Sequence, residues 1–105
     1  MGKYLFQGSY TEAGTKGLLK VGGTSRRQVI EQAIKSLGGK LEVFYYAFGE
    51  TDVYAIADLP DHIGSMAFSL IANAAGAAQV KTTVLLTPEE VDQATKKSVE
   101  YRPPG

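Results

Sequence analysis

The sequence contains no cysteine and no tryptophan, and it has a single histidine, His62. Without cysteine the chain can form no disulfide, no thiolate nucleophile and no cysteine-ligated metal site. One histidine is too few for a metal site built on histidines. We therefore expect neither a metal nor any other cofactor.

The chain also lacks an excess of charge and a long apolar run. Its 11 basic and 11 acidic side chains cancel, so no long-range attraction to nucleic-acid phosphates or to anionic lipid is expected. No apolar stretch approaches the roughly 18 residues of a membrane span. Met1–Phe6 does not open an apolar stretch of the kind found in signal peptides. These absences predict a cytoplasmic protein, with no nucleic acid and no membrane among its partners.

The composition that remains is that of one globular domain. Of the 105 residues, 44% are hydrophobic and 21% are charged, ordinary values for a folded domain of this length. We predict a single domain over residues 1–105, with a core over about 3–98 and an extended tail over 99–105.

Hydrophobic periodicity predicts strands separated by helices. The strands are predicted at Lys3–Tyr10, Leu41–Phe48, Asp52–Leu59 and Ala78–Leu86. Residues 11–23 are rich in glycine and are predicted to form a long connection with at most one short helical turn. The turn Gly49–Thr51 is so short that the two strands it joins must be antiparallel.

The first helix has a recognisable start and end. Ser25 is its predicted N-cap, with Gln28 completing a capping box and Thr24 as the rival cap. Gly38–Gly39 ends it, because glycine accepts the left-handed conformation. The apolar stripe predicted to face the core is Val29, Ile30, Ala33, Ile34 and Leu37.

Two further helices follow the third and fourth strands. The second begins at the N-cap Asp61 and ends at Gly76. Its predicted core-facing stripe is Ile63, Met66, Ala67, Leu70, Ile71 and Ala74. The third begins at Thr87 and Pro88. The order β-α-β-β-α-β with an appended C-terminal helix predicts an α+β, ferredoxin-like antiparallel sheet.

Residue parity along the predicted strands gathers aromatic side chains on one face of the sheet. Seven of the ten aromatic residues are assigned to it, together with Ile56: Tyr4, Phe6, Tyr10, Phe44, Tyr46, Phe48 and Tyr54. The set assigned to the face under the helices is aliphatic or small: Leu5, Leu41, Val43, Val53, Ala55 and Ala57. A bare face with seven aromatic residues would exceed the few hundred Å² of apolar patch that a monomer tolerates.

A second copy of the chain is the favoured cover for this aromatic face. Two such sheets would form a dimeric α/β barrel through an isologous contact. The space between the sheets would suit a small apolar ligand, lined by Tyr4, Tyr10, Tyr46, Tyr54 and Lys81. In the alternative, the hydroxyls bond only to backbone or water, and Lys81 is an edge-strand lysine that discourages aggregation. Stacked nucleic-acid bases are disfavoured by the neutral charge.

Residues 22–27 form the most informative polar cluster. A glycine-rich turn that runs into a helix N-terminus exposes amides that can hold an anion. Thr24, Ser25 and Arg26 are therefore a candidate anion site. A salt bridge from the arginines to Glu12, Asp58 or Asp61 is the alternative.

Other polar residues have simpler interpretations. His62 could serve as a catalytic base, but a solvated position in the first turn of a helix is favoured. Asp52 and Asp58 are six residues apart in one strand, about 20 Å, so they cannot form a carboxylate pair with each other. Both are read as polar residues at strand ends.

Several segments resemble the GYD-domain family. They are Tyr10–Gly14, Arg26, Gly38–Lys40, Phe48–Tyr54, Leu59–Asp61, Lys81–Thr83 and Leu86–Glu90. The likeness covers roughly residues 4–95. It implies a ferredoxin-like domain of bacteria or archaea, often a dimer or larger oligomer, without an established reaction. One position departs from the motif after which the family is named: Thr51 stands where tyrosine is expected.

The function expected from these observations is a homo-oligomeric module of undefined activity that binds a small apolar or aromatic ligand between its sheets. The alternative is a cofactor-independent enzyme that acts on a small aromatic substrate in the dimer cavity. No catalytic residue is assigned by either.

Overall fold

The computed structural model describes residues 2–105 as an α+β chain with four strands and four helices. The strands are β1 (Gly2–Tyr10), β2 (Lys40–Tyr46), β3 (Val53–Leu59) and β4 (Ala78–Leu85). The helices are α1 (Glu12–Val21), α2 (Gly23–Ser36), α3 (His62–Ala74) and α4 (Pro88–Thr95). The strands form one sheet in the order β2-β3-β1-β4, with antiparallel neighbours throughout.

Most predicted ends of elements agree with the structure. Asp61 caps α3, its side chain accepting from the Gly64 amide at 2.9 Å. Thr87 and Glu90 form a capping box at the start of α4. Gly38 and Gly76, which follow α2 and α3, have positive φ angles of 79° and 81°, as expected of glycines that end helices.

The prediction of a long connection after β1 is wrong, because Glu12–Val21 is the helix α1. Thr11 caps it by accepting from the Gly14 amide at 3.2 Å. The glycine content pointed to a loop, yet Gly14 has a packing role. A Cβ at this position would lie 1.8 Å from the carbonyl oxygen of Ala77, so only glycine lets α1 lie this close to the turn before β4.

The predicted capping box at Ser25 is also wrong. Helix α2 begins at Gly23, its N-cap is Gly22, and no side chain caps it. Gly22 has a φ of 85°, which lets α1 turn directly into α2 without an intervening loop. Ser25 therefore lies inside the first turn.

The aromatic face predicted for the sheet does not exist. Tyr4 and Phe6 are 1% and 5% exposed and lie under the helices. Register pairs them with Ala57 and Ala55 of β3. The large rings of β1 fill the space above the small residues of β3, as close packing requires, so Leu5 is turned to the other face.

A bulge in β2 disturbs the predicted parity again. The register shifts between Leu41 and Val43, and one extra residue in a strand reverses the alternation beyond it. Leu41 and Phe44 therefore pack with the core, whereas Val43 and Tyr45 share the other face with Ile56 and Tyr54. Of the seven predicted aromatics, Tyr54 alone lies on that other face, which we call the open face.

The apolar stripe of α3 is oriented opposite to the prediction. Ile63, Met66, Leu70 and Ile71 are between 58% and 79% exposed. Ser65, at 4%, faces the interior, and the Phe68 ring packs against Phe6 with centroids 4.9 Å apart. Helix α3 carries apolar residues on both sides, so periodicity could not decide which side faces the sheet.

The core lies between the sheet and α2, with α3 closing its other side. Its buried members are Tyr4, Phe6, Ile34, Leu41, Ala55, Ala57 and Leu59. Helix α4 has no buried residue, and residues 96–105 are exposed as well. Among residues 2–105, no helix combines the length and the apolar character needed to cross a membrane.

Candidate functional site

A cavity of about 90 Å³ lies between α2, α3 and the helix-facing side of the sheet. Its lining side chains are apolar apart from those of Tyr10 and Arg26. The apolar lining is Phe6, Ile30, Ile34, Leu41, Phe44, Val53, Ala55, Phe68, Ala72, Ala75, Ala77, Ala78 and Val80, with Gly8 between them.

Small residues explain why this space is unfilled. Helix α2 packs mainly on β2, and α3 packs mainly on β4, which leaves the middle of the sheet between them. Gly8 and Ala55 form the floor there, and Ala72 lies on the wall from α3. With no large side chain at these positions, the gap between the helices remains open toward the sheet.

Tyr10 places a phenol at this cavity. Burial, and then the neighbouring Tyr46, raise the pKa of Tyr10 to about 12, while the nearby Arg26 opposes the rise. The phenol therefore keeps its proton at neutral pH and remains a hydrogen-bond donor. The backbone amide of Tyr10 donates to Oδ2 of Asp52 at 2.8 Å, which holds this end of β1 in place.

Tyr46 connects the sheet to the beginning of α2. Its hydroxyl donates to the carbonyl oxygen of Gly23 at 2.9 Å. Its ring lies so close to Gly23 that a Cβ there would be 3.0 Å from it. Tyr46 thereby positions the first turn of α2, which carries Arg26.

Arg26 is half-buried at the cavity. Among residues 2–105, the ion pairs join Lys3 to Glu42 and Asp58, and Lys16 to Glu12. The predicted salt bridges to Glu12, Asp58 or Asp61 are thus not formed by Arg26. Thr24 and Ser25, its predicted partners in an anion site, are exposed. The structure brings Arg26 together with Tyr10 and Tyr46, which the sequence assigned to a different site.

Tyr4 is separated from this cluster. Its hydroxyl lies 2.7 Å from Nδ1 of His62, and the two rings meet edge to face at 5.7 Å. His62 is exposed, as predicted for a residue in the first turn of a helix. It is also hydrogen-bonded to the buried phenol of Tyr4. Tyr4 is not among the residues that line the cavity.

Tyr54 and Lys81 lie on the open face, on either side of Gln7. Lys81 borders a polar groove with Gln7, Ser9 and Glu50. The five tyrosine and lysine residues predicted to line one space are thus divided between the two faces of the sheet. The assumption that they share a face is wrong.

A charged cluster occupies one end of the open face. Lys3 contacts Glu42 and lies 3.1 Å from Oδ1 of Asp58. Hydrogen bonding to the Glu42 carboxyl and then to Lys3 lowers the pKa of Asp58. This cluster uses Asp58 as a partner for Lys3 and leaves it no part in the cavity.

The turn between β2 and β3 is fastened to the end of β1. The Asp52 amide donates to the Gly8 carbonyl oxygen at 2.8 Å, and the Ala47 amide donates to the Asp52 carbonyl oxygen at 2.8 Å. Gly49 has a φ of 122°, which only glycine adopts readily. Gly49 and Asp52 shape this turn and position Tyr10.

Sequence reasoning did not identify Ile30, Phe68 or Ala72 as site residues. The one available signal was the alanine-rich segment 72–78, in which five of the seven residues are alanine, since small residues beside a sheet leave space.

No curated protein and no solved structure matches the chain. The profile of the GYD domain matches residues 4–95. Because this match spans most of the 105 residues, the chain belongs to the GYD domain family.

Proposed function

We propose that this protein is a homodimeric module that binds a small apolar or aromatic ligand, and that the ligand occupies the cavity between the helices and the sheet rather than a space between two sheets. The observation that carries the proposal is the apolar lining, interrupted only by Tyr10 and Arg26. Apolar walls with a few convergent polar groups are typical of ligand sites.

The volume limits the size of the ligand. A cavity of about 90 Å³ equals the liquid volume of about three water molecules, and a cavity of about 150 Å³ admits benzene. A short branched chain therefore fits, whereas a ring requires some movement of the wall. The remainder of a larger ligand would extend past Tyr10 and Arg26.

The proposal is tested by calorimetric titration with two neutral probes, isoamyl alcohol and phenethyl alcohol. Ala72→Leu places a larger side chain in the cavity wall and should abolish binding. Ala74→Leu is the matched control, because Ala74 is exposed on the same helix, and it should bind as the unmodified protein does. Equal binding by both variants would place the probes elsewhere and refute the cavity as the site.

Dimerisation is supported by the open face. Its apolar side chains are Leu5, Val43, Tyr45, Tyr54, Ile56 and Leu85. Tyr45 and Tyr54 are directly opposed across β2 and β3 and are 68% and 39% exposed. Tyrosine is enriched at protein interfaces, and an exposed sheet face can pair with its own copy about a twofold axis.

The strand order β2-β3-β1-β4, with α2 and α3 on one side, supports a ferredoxin-like assignment and leaves the open face for a dimeric α/β barrel. In that assembly each protomer keeps its own cavity, on the side away from the partner. The alternative function, a cofactor-independent enzyme, would use the same cavity with the neutral Tyr10 phenol as proton donor. Conversion of a bound aromatic probe, lost in Tyr10→Phe, would favour it.

A further inference from the structure

We infer that the ligand is a small monocarboxylic acid, whose carboxylate binds Arg26 and Tyr10 while its apolar end occupies the cavity. This inference rests on the proposed function of the cavity. It adds the chemical class of the ligand, which an apolar lining alone does not specify.

Arg26 is the first reason. It is the only charged residue in the lining of the cavity, it is half-buried, and it takes part in none of the ion pairs among residues 2–105. Removing a charged group from water is costly unless the charge is paired. The planar guanidinium matches a carboxylate with two parallel hydrogen bonds, so an acid is the ligand that compensates for its partial burial.

Tyr10 is the second reason. Its phenol lies close enough to Arg26 for the guanidinium to affect its titration, and both side chains line the same cavity. A guanidinium only donates hydrogen bonds, whereas a protonated phenol can donate and accept. A carboxylate can accept from both groups, whereas an ammonium group would be repelled by Arg26.

The charge of the lining sets the charge of the ligand, because Arg26 is the only charged one of the described residues that border the cavity. With a single cation and apolar walls beyond it, the site suits one negative charge. A second carboxylate on the ligand would have to enter the apolar wall, at high cost.

The test compares matched acids, amides and alcohols that share one apolar group. Isovalerate, isovaleramide and isoamyl alcohol form one series; phenylacetate, phenylacetamide and phenethyl alcohol form the other. Titration calorimetry at one pH and one salt concentration should give an affinity for each acid about tenfold or more above that of its alcohol, the gain expected of a charge-assisted hydrogen bond.

Two arginine variants locate the carboxylate. Arg26→Gln should lower the affinity for the acid to about that of the alcohol, so that the preference for the acid is lost. Arg27→Gln makes the same change in net charge at an exposed neighbour and should keep the preference. Circular dichroism of each variant verifies that it is folded, so a loss of binding can be assigned to the site.

The outcomes separate the two proposals. If acids and alcohols bind the unmodified protein equally, the carboxylate inference is overturned and the apolar cavity remains a ligand site. If the preference for acids survives in Arg26→Gln, the inference is also overturned. If no member of either series binds, both proposals fail.

Discussion

At the residue scale, Tyr10 has two roles that the sequence around it does not reveal. Its amide is held by Asp52, and its phenol borders the apolar cavity beside Arg26. Parity along β1 correctly placed it on the same face as Tyr4 and Phe6. The identity of that face was wrong, so the sequence assigned Tyr10 to a space between two sheets.

Because of Tyr10, the free energy of unfolding should depend on pH in the alkaline range. Its pKa rises from 10.0 to about 12 on folding, so the folded state favours the protonated phenol. The corresponding stabilisation is fully present below pH 10.0 and is lost as the pH rises toward about 12. We expect urea unfolding to show a decline in the free energy of unfolding over this window.

Two substitutions test whether this decline arises from the phenol of Tyr10. In Tyr10→Phe the decline should be smaller, because no phenol remains to titrate. Tyr101→Phe, at a position 74% exposed, should retain the full decline. Lys3 also contributes to the free energy of unfolding, because its hydrogen bonds to Glu42 and Asp58 raise its pKa above 10.5. This contribution is lost as the pH rises above 10.5, but it is the same in both variants and cancels in the comparison. Identical pH profiles would contradict the prediction.

At the scale of the elements, the helices show which features can be predicted from local sequence patterns. Asp61 and Thr87 were predicted as caps and act as caps, because a cap depends on residues within one turn. Helix α1 was missed because its glycines suggested a loop. Gly14 is required by a contact with Ala77, 63 positions away in the sequence, which no local pattern reveals.

Gly14 and Gly17 give a matched test within α1. Alanine in place of an exposed helical glycine usually stabilises by about 0.5–1 kcal/mol. Gly17→Ala should do so, since nothing lies within 4 Å of a Cβ there. Gly14→Ala should destabilise by about 1–3 kcal/mol, the usual cost of overpacking, because its Cβ would overlap the Ala77 carbonyl.

Urea unfolding of both variants measures these differences. If Gly14→Ala stabilised the protein as Gly17→Ala does, α1 would not be packed against the turn before β4, and the described contact would be contradicted.

At the scale of the whole molecule, several surfaces are left uncovered by the other parts of residues 2–105. They are the open face, the outward stripe of α3 and the C-terminal arm formed by α4 and residues 96–105. An isolated helix shorter than about 12 residues is only marginally stable in water, and α4 has eight. A monomer would thus expose the open face, with Tyr45 and Tyr54 at its surface, and a helix without support.

We expect a dimer through the open face. Ile56→Glu places a charge in the middle of that face and should yield a monomer in sedimentation velocity experiments. Leu70→Glu makes the same change on the outward side of α3, where Leu70 is 61% exposed, and should leave the dimer intact. A monomeric Leu70→Glu with a dimeric Ile56→Glu would assign the interface to α3 instead. An unmodified protein that sediments as a monomer would refute dimerisation.

The sequence by itself determined the parts of this protein that depend on neighbouring residues. These are the four strands, three of the helices with two of their caps, and the short turn that makes β2 and β3 antiparallel. The resemblance to the GYD domain family could also be seen in the sequence. Each rests on periodicity or on hydrogen bonds within a few positions along the chain.

Tertiary structure alone decided the faces and therefore the site. Parity groups alternate residues of a strand but does not say which group is covered, and the bulge after Leu41 reverses it within β2. The choice is made by volume: Tyr4 and Phe6 fit above Ala57 and Ala55, and α2 and α3 then leave a cavity at the remaining small residues. Arg26 and Tyr10 meet there because packing between distant elements, not spacing along the chain, brings them together.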